Sequence, residues 1–293
     1  MSMSDRSKLI MFAALSMIGM GVGSTLMFVV AGLMLPEGMG MEQLFNQPTA
    51  ELQDALKWGN TSMLIGFYLF PVIMYRLLFG RSKALSFGFF KQSHWWFVAP
   101  FILIFLSGMA DILGAFNVWL MDQLQLQTLD EMQNNADQLQ RIMLSPSNGL
   151  QWFSTIVALI IAPAILEELF FRGALQNLLQ RLGGGHHAAI WATAAAFSAM
   201  HLQFEGFLPR MFLGLLMGYL YYWSGSLTTS IIAHAVNNAL ALVLFSIFQS
   251  FEWSFSEQRW VELFISFGTG FIGIAITQWA YRRNKPSSEF QQE

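Results

Sequence analysis

The stretch 165–175, ILEELFFRGAL, sets two adjacent carboxylates, Glu167 and Glu168, and the guanidinium of Arg172 in an almost wholly apolar run. Glu168 and Arg172 are four residues apart, so on a helix they share a face and can pair. Glu167 is turned about 100° away and must face something else. Further on, His201 ends the run AAIWATAAAFSAMH, and SIIAHAVNNAL carries His234 and Asn238, again four apart on one helical face. A carboxylate in apolar surroundings holds a proton more tightly and is a stronger base. An imidazole N–H and an amide N–H on one face can both donate to a developing oxyanion. Together these groups are equipped to activate water and hydrolyse a peptide bond.

Other polar groups in apolar runs have structural readings. Asp111, near Gly108 and Gly114, reads as a partner in a helix–helix hydrogen bond. His94 beside Trp95 and Trp96 reads as part of an aromatic belt, and His186 and His187 as interfacial turn residues. Asn237, next to Asn238, completes the interior candidates.

The elements that position these residues follow from composition. The chain has 293 residues, 55% hydrophobic and 11% charged, where a soluble domain carries about 25% charged residues. This is an all-α, polytopic membrane helix bundle. Eight runs are long and apolar enough to be candidate spans: 9–35, 61–80, 95–120, 151–181, 187–203, 208–223, 227–249 and 260–281. The first is too long for the apolar part of a signal peptide. Cysteine is absent, which excludes disulfides and thiol chemistry, and a net charge of −3 gives no reason to expect a nucleic-acid partner. Lys and Arg are concentrated on one side if both termini are cytoplasmic, with Lys57, Arg141, Arg210 and Arg259 on the other. Two outer connections, about 36–60 and 121–150, are acidic; within them Thr49–Gly59 and Leu129–Leu144 have the spacing of surface helices. The organisation expected is residues 1–150 as N-terminal membrane helices, 151–249 as the catalytic helices, and 250–293 as a last span and tail.

The glycine-rich RLGGGHH, Arg181–His187, should stop the fourth span and turn the chain. By helical rise Glu167 lies roughly 24 Å before Gly183, and His201 roughly 21 Å after His187, which puts the two at similar depth. His234 and Asn238 lie about 12 and 18 Å from the turn near Gly225. The small-residue run ATAAAFSA allows a neighbouring helix to approach closely.

Taken in order, Glu167-Glu168-x-x-x-Arg172, Phe197-x-x-x-His201 and His234-x-x-x-Asn238 resemble the three motifs of the CPBP family, the CAAX proteases and bacteriocin-processing enzymes, also called Abi proteins. The resemblance covers about residues 150–245. It implies an intramembrane endopeptidase in which Glu167 is the general base and acts with His201 on a water. His234 and Asn238 would stabilise the oxyanion, and Glu168 and Arg172 would give support. Its substrate would be a membrane-associated peptide or protein, lipidated or not, and its place a multi-pass position in a bacterial plasma membrane. Two cofactor readings stay open. Glu167, His201 and His234 could ligate a catalytic zinc with one open position; a metal-free glutamate mechanism is slightly preferred, since no HExxH is present and the ligands come from three helices. The competing functions are a non-catalytic membrane scaffold or bacteriocin-immunity protein and a proton-coupled transporter. The transporter ranks last because no internal repeat is found.

Overall fold

A computed structural model describes residues 3–35, 49–79, 94–124, 130–146, 148–248 and 259–283. Arg81, Lys83, Lys91, Lys285 and most of the first outer connection lie outside the described residues. Every described element is a helix, and no strand occurs among the described residues. In chain order these are α1 (Asp5–Met34), α2 (Ala50–Phe79), α3 (Trp95–Gln123), α4 (Asp130–Met143), α5 (149–184), α6 (Gly185–Ala199), α7 (Phe207–Ser224), α8 (Leu227–Phe248) and α9 (Arg259–Arg283).

Five stretches are long and apolar enough to cross a membrane: Asp5–Met34, Ala50–Phe79, Trp95–Gln123, Gly149–Ala199 and Leu227–Ile247. The fourth joins α5 and α6, which the sequence reads as two spans. Helical geometry breaks between them, where Gly183 has φ +88° and Gly185 φ +74°. Those left-handed values are open to glycine without strain, so the glycine-rich stop falls where expected. Large apolar side chains stay exposed on the outer faces, such as Leu33 at 82% and Phe97 at 73%. In water such exposure would be costly; in lipid it costs nothing. The chain is an integral membrane protein.

α2 and α5 are not uniform α-helices. α2 widens into a π-helical turn at Ile65–Leu69, and α5 does so at Val157–Ile161, Phe171–Gln176 and Gln180–Gly184. In two cases the cause is legible. Pro71 and Pro163 each lie two residues past a wide turn. Proline offers no N–H to the carbonyl four residues back and its ring crowds that carbonyl, so the preceding turn opens to i→i−5 bonds, Phe70 N–H to Ile65 O and Ala162 N–H to Val157 O. In the third turn the Asn177 side chain takes up loosened carbonyls, donating to Arg172 O and Gly173 O at 3.1 Å each.

The helices gather into two compact units. The first comprises residues 1–86, 135–183 and 238–249. Its α1 and α2 cross at glycine. A Cβ on Gly66 would overlap the Gly23 backbone, and one on Gly23 would meet Met63 O at 2.5 Å. This crossing lets Phe12 and Tyr68 reach α5, where Phe12 lies 5.1 Å and Tyr68 5.3 Å from the Phe170 ring. A second cluster in this unit joins Leu52, Leu56, Met143 and Ala158.

Thr49–Gly59, expected as a surface helix, is instead the first half of α2, and Lys57 within it is fully buried. Asp54 compensates it from 3.9 Å and accepts a hydrogen bond from Ser154 Oγ at 2.6 Å. Its apolar residues face α4 and α5 rather than lipid headgroups. The other expected amphipathic segment does form α4.

The second unit comprises 87–134, 184–237 and 250–293. α7 lies against the small residues of α6, so that a Cβ on Gly214 would stand 3.3 Å from Ala194 Cα. This is the close approach the run ATAAAFSA allows. α9 lies against α3 in the same way, with Gly108 facing Ser266.

Candidate active site

In the first unit, Ala162–Phe170 carries Glu167 and Glu168, and the wide turn that follows carries Arg172. Glu168 and Arg172 are both fully buried, and Arg172 Nη1 donates to Glu168 Oε1 at 2.7 Å. The pair expected from the i,i+4 spacing is made. Glu167 is buried at 5% exposure and not turned outward. Nor is it electrostatically isolated, as its turn on the helix suggested: it also lies within the field of Arg172, more weakly than Glu168 does. Tyr68, buried at 4%, lies within its electrostatic range, and the rings of Phe12, Tyr68, Phe170 and Phe171 pack together on this stretch of α5. The sequence carries no motif in α1 or α2 that announces this aromatic wall. Asn238, half-buried at the middle of α8, belongs to this unit by its contacts.

In the second unit, Phe197 is the centre of the arrangement. Its ring stands edge-on to His201 at 4.9 Å and to His234 at 6.0 Å. The two histidines, 33 positions apart in the sequence, are thus brought against one side chain. His201 lies in the turn just past α6, not inside the span. Its Nδ1–H donates to Phe197 O at 2.8 Å. A carbonyl only accepts, so this bond requires the proton on Nδ1, and in the neutral ring it leaves Nε2 with its lone pair. His234 is buried at 4% and lies within electrostatic range of His201.

Asp111, expected in the interior, lies on the exposed side of α3. His94 is also exposed, with its ring 5.8 Å from Trp95, as an interfacial residue would be. His187 Nδ1 meets Tyr219 Oη at 2.8 Å and His186 stacks on Tyr222 at 4.2 Å, both away from Phe197 in the sequence and bonded within their own aromatic cluster. Asn117, which the sequence reading did not single out, is a buried amide in the apolar run GAFNVWL that bonds to the loop following His201.

Among the described residues no group of three or more His, Asp or Glu side chains could hold a metal ion. No step below is routed through a metal.

Comparison with known proteins places the motif helices. The family model described as type II CAAX prenyl endopeptidase Rce1-like matches residues 149–240. In that stretch the chain is similar to the Rce1-like family. The match supports the CAAX-protease resemblance and takes in Glu167, Glu168, Arg172, His201, His234 and Asn238 together. A stretch of 89 residues is 28% identical to "Uncharacterized protein YpbD" of Bacillus subtilis (strain 168). That alignment covers 29% of this chain and 42% of the relative, so the chain spans under half of that relative's length. No solved structure matches. The Rce1-like part is under a third of the sequence, and α1, α2 and α3 lie outside it.

Proposed function

We propose that the protein is an intramembrane endopeptidase that hydrolyses a peptide bond in a membrane-associated peptide or protein. Glu167 removes a proton from a water held with His201, and the water oxygen attacks the scissile carbonyl carbon. The carbonyl oxygen becomes an oxyanion, which accepts hydrogen bonds from a His234 ring N–H and from Asn238 Nδ2. Glu167 returns the proton to the departing amine as the C–N bond breaks, leaving a new carboxylate and a new amino terminus. Glu168 and Arg172 hold Glu167 in place and touch no reacting atom.

The observation that carries this reading is the Rce1-like match over 149–240, which contains all four acting residues and both supporting ones. The buried Glu168–Arg172 pair and His234 support it independently, because ionisable groups at membrane depth are costly and mark function by default, and Phe197 brings His201 to the same side chain as His234. The eight-span arrangement with both ends cytoplasmic belongs to the same proposal, as does residence in a bacterial plasma membrane.

Purified protein incubated with a membrane peptidome, followed by mass spectrometry of new termini, tests the reading. Wild-type protein should generate termini that Glu167→Ala/His201→Ala does not. Identical termini from both proteins, or none from either, would reject it and favour a scaffold. A metal-free mechanism also predicts that the cleavage survives dialysis against a strong chelator. Loss on chelation with recovery on adding zinc would contradict that part.

A further inference from the structure

The residue after His201, Leu202, has φ +55° and is the one non-glycine residue with positive φ among those described. A left-handed leucine brings its Cβ against the following carbonyl. Such a conformation persists only where the surroundings over-determine it. Those surroundings consist of three side chains in the same unit. Asn117, on α3 and 5% exposed, donates through Nδ2 to Phe204 O at 2.7 Å and to Glu205 O at 3.0 Å, and its Oδ1 accepts from Leu208 N–H at 3.3 Å. Ser198 Oγ donates to Phe207 O at 2.6 Å, tying the last turn of α6 to the first of α7. Arg210 donates to Gln203 O at 2.7 Å, Gln203 Oε1 at 3.1 Å and Gly206 O at 3.2 Å. The backbone from 203 to 208 is therefore held by side chains of three helices, α3, α6 and α7.

Asn117 has a distinct place in this set. It comes from a helix outside the motif region and reaches the loop across 87 positions of sequence. Its amide supplies two donors and an acceptor to three backbone groups at once, and no other side chain of its size does that. Resting on the endopeptidase reading, we propose that Asn117 is a positioning residue, which clamps the strained turn after His201 so that the imidazole, anchored by Nδ1–H on Phe197 O, offers Nε2 to the attacking water in one orientation. Asn117 itself touches no reacting atom.

The test uses the full-length protein in lipid nanodiscs with ¹⁵N-labelled histidine. His201→Gln identifies the His201 signals among the five histidines. Wild-type protein should show a single Nδ1-protonated tautomer. Asn117→Leu keeps the branched outline of the side chain and removes both donors and the acceptor. It should show mixed tautomers, with kcat on a peptide the wild type cleaves lowered about 10- to 100-fold and KM within about two-fold. Adding Leu202→Gly to Asn117→Leu should restore part of kcat, because glycine takes the left-handed turn without strain and needs the clamp less. A merely structural asparagine would not give that rescue. An unchanged His201 spectrum in Asn117→Leu, or a loss confined to KM, overturns the proposal. If Asn117→Leu does not fold, Asn117→Asp, which keeps the bond from Leu208 N–H and loses the other two, is read by the same criteria. Wild-type protein without peptidase activity would reject the endopeptidase reading while the tautomer spectra still judge the clamp.

Discussion

Glu168 and Arg172 are fully buried at 2.7 Å, and each compensates the charge of the other. Removing one partner strands a charge, at a cost of about 3–5 kcal/mol, whereas replacing both with apolar residues of similar size is close to neutral. Arg172→Ala should therefore lower the thermal unfolding midpoint in detergent sharply, and Glu168→Leu/Arg172→Met should recover most of the loss. Equal midpoints for Arg172→Ala and wild type would show that the pair supports nothing. The double variant is expected to stay folded yet cleave slowly, since Glu167 loses the field of Arg172. This pair is the part of the site that was readable from sequence, because i,i+4 spacing is set by helical geometry alone. Asn117 was not readable. Its partners are backbone groups 87 to 91 positions away, and nothing local points to them. The signal that could have found it is the one that found the others, an amide in an apolar run.

At the scale of the element, position depends on where helices can approach and where they widen. Gly66 lies within the wide turn of α2 and faces Gly23 of α1, and this crossing is what lets Phe12 and Tyr68 reach Phe170 beside the glutamates. Gly66→Ala should destabilise the protein by about 1–3 kcal/mol through overpacking. Gly21→Ala, on the same helix as Gly23 but facing open space, should be neutral or slightly stabilising because alanine favours the helix. Thermal unfolding of the two variants side by side checks this, and a Gly66→Ala protein as stable as Gly21→Ala would show the crossing to be loose. The existence of these helices was plain from apolar length, and the stop at Gly183 from its glycines. The wide turns were not, although Pro71 and Pro163 mark two of them. A missing N–H announces that a helix must adjust and leaves open whether it kinks or widens. The fate of Thr49–Gly59 was misjudged for a related reason. An amphipathic pattern fits a membrane surface or a protein interior equally, and Asp54 with Ser154 makes the interior acceptable for Lys57.

At the scale of the whole molecule, the chain is a membrane protein whose described elements are all helices, with a region between 149 and 240 that is similar to the Rce1-like family. The proposed cytoplasmic placement of its ends rests on the distribution of basic residues, and the absence of cysteine makes it easy to test. Ser4→Cys and Ser287→Cys should resist an impermeant thiol reagent in intact cells, while Ser145→Cys, on the exposed connection after α4, should react. Reaction at Ser4→Cys with protection at Ser145→Cys would invert the topology. The central claim remains that Glu167 activates the water. It is tested most directly by the cleavage rate of Glu167→Gln, matched in shape and unable to take a proton, on a peptide that the wild type cleaves. Folded, membrane-inserted Glu167→Gln should show no measurable cleavage, while Asn238→Ala, lacking one oxyanion donor, should retain a rate lowered about 10²–10³-fold. A Glu167→Gln protein that cleaves at the wild-type rate would contradict the account.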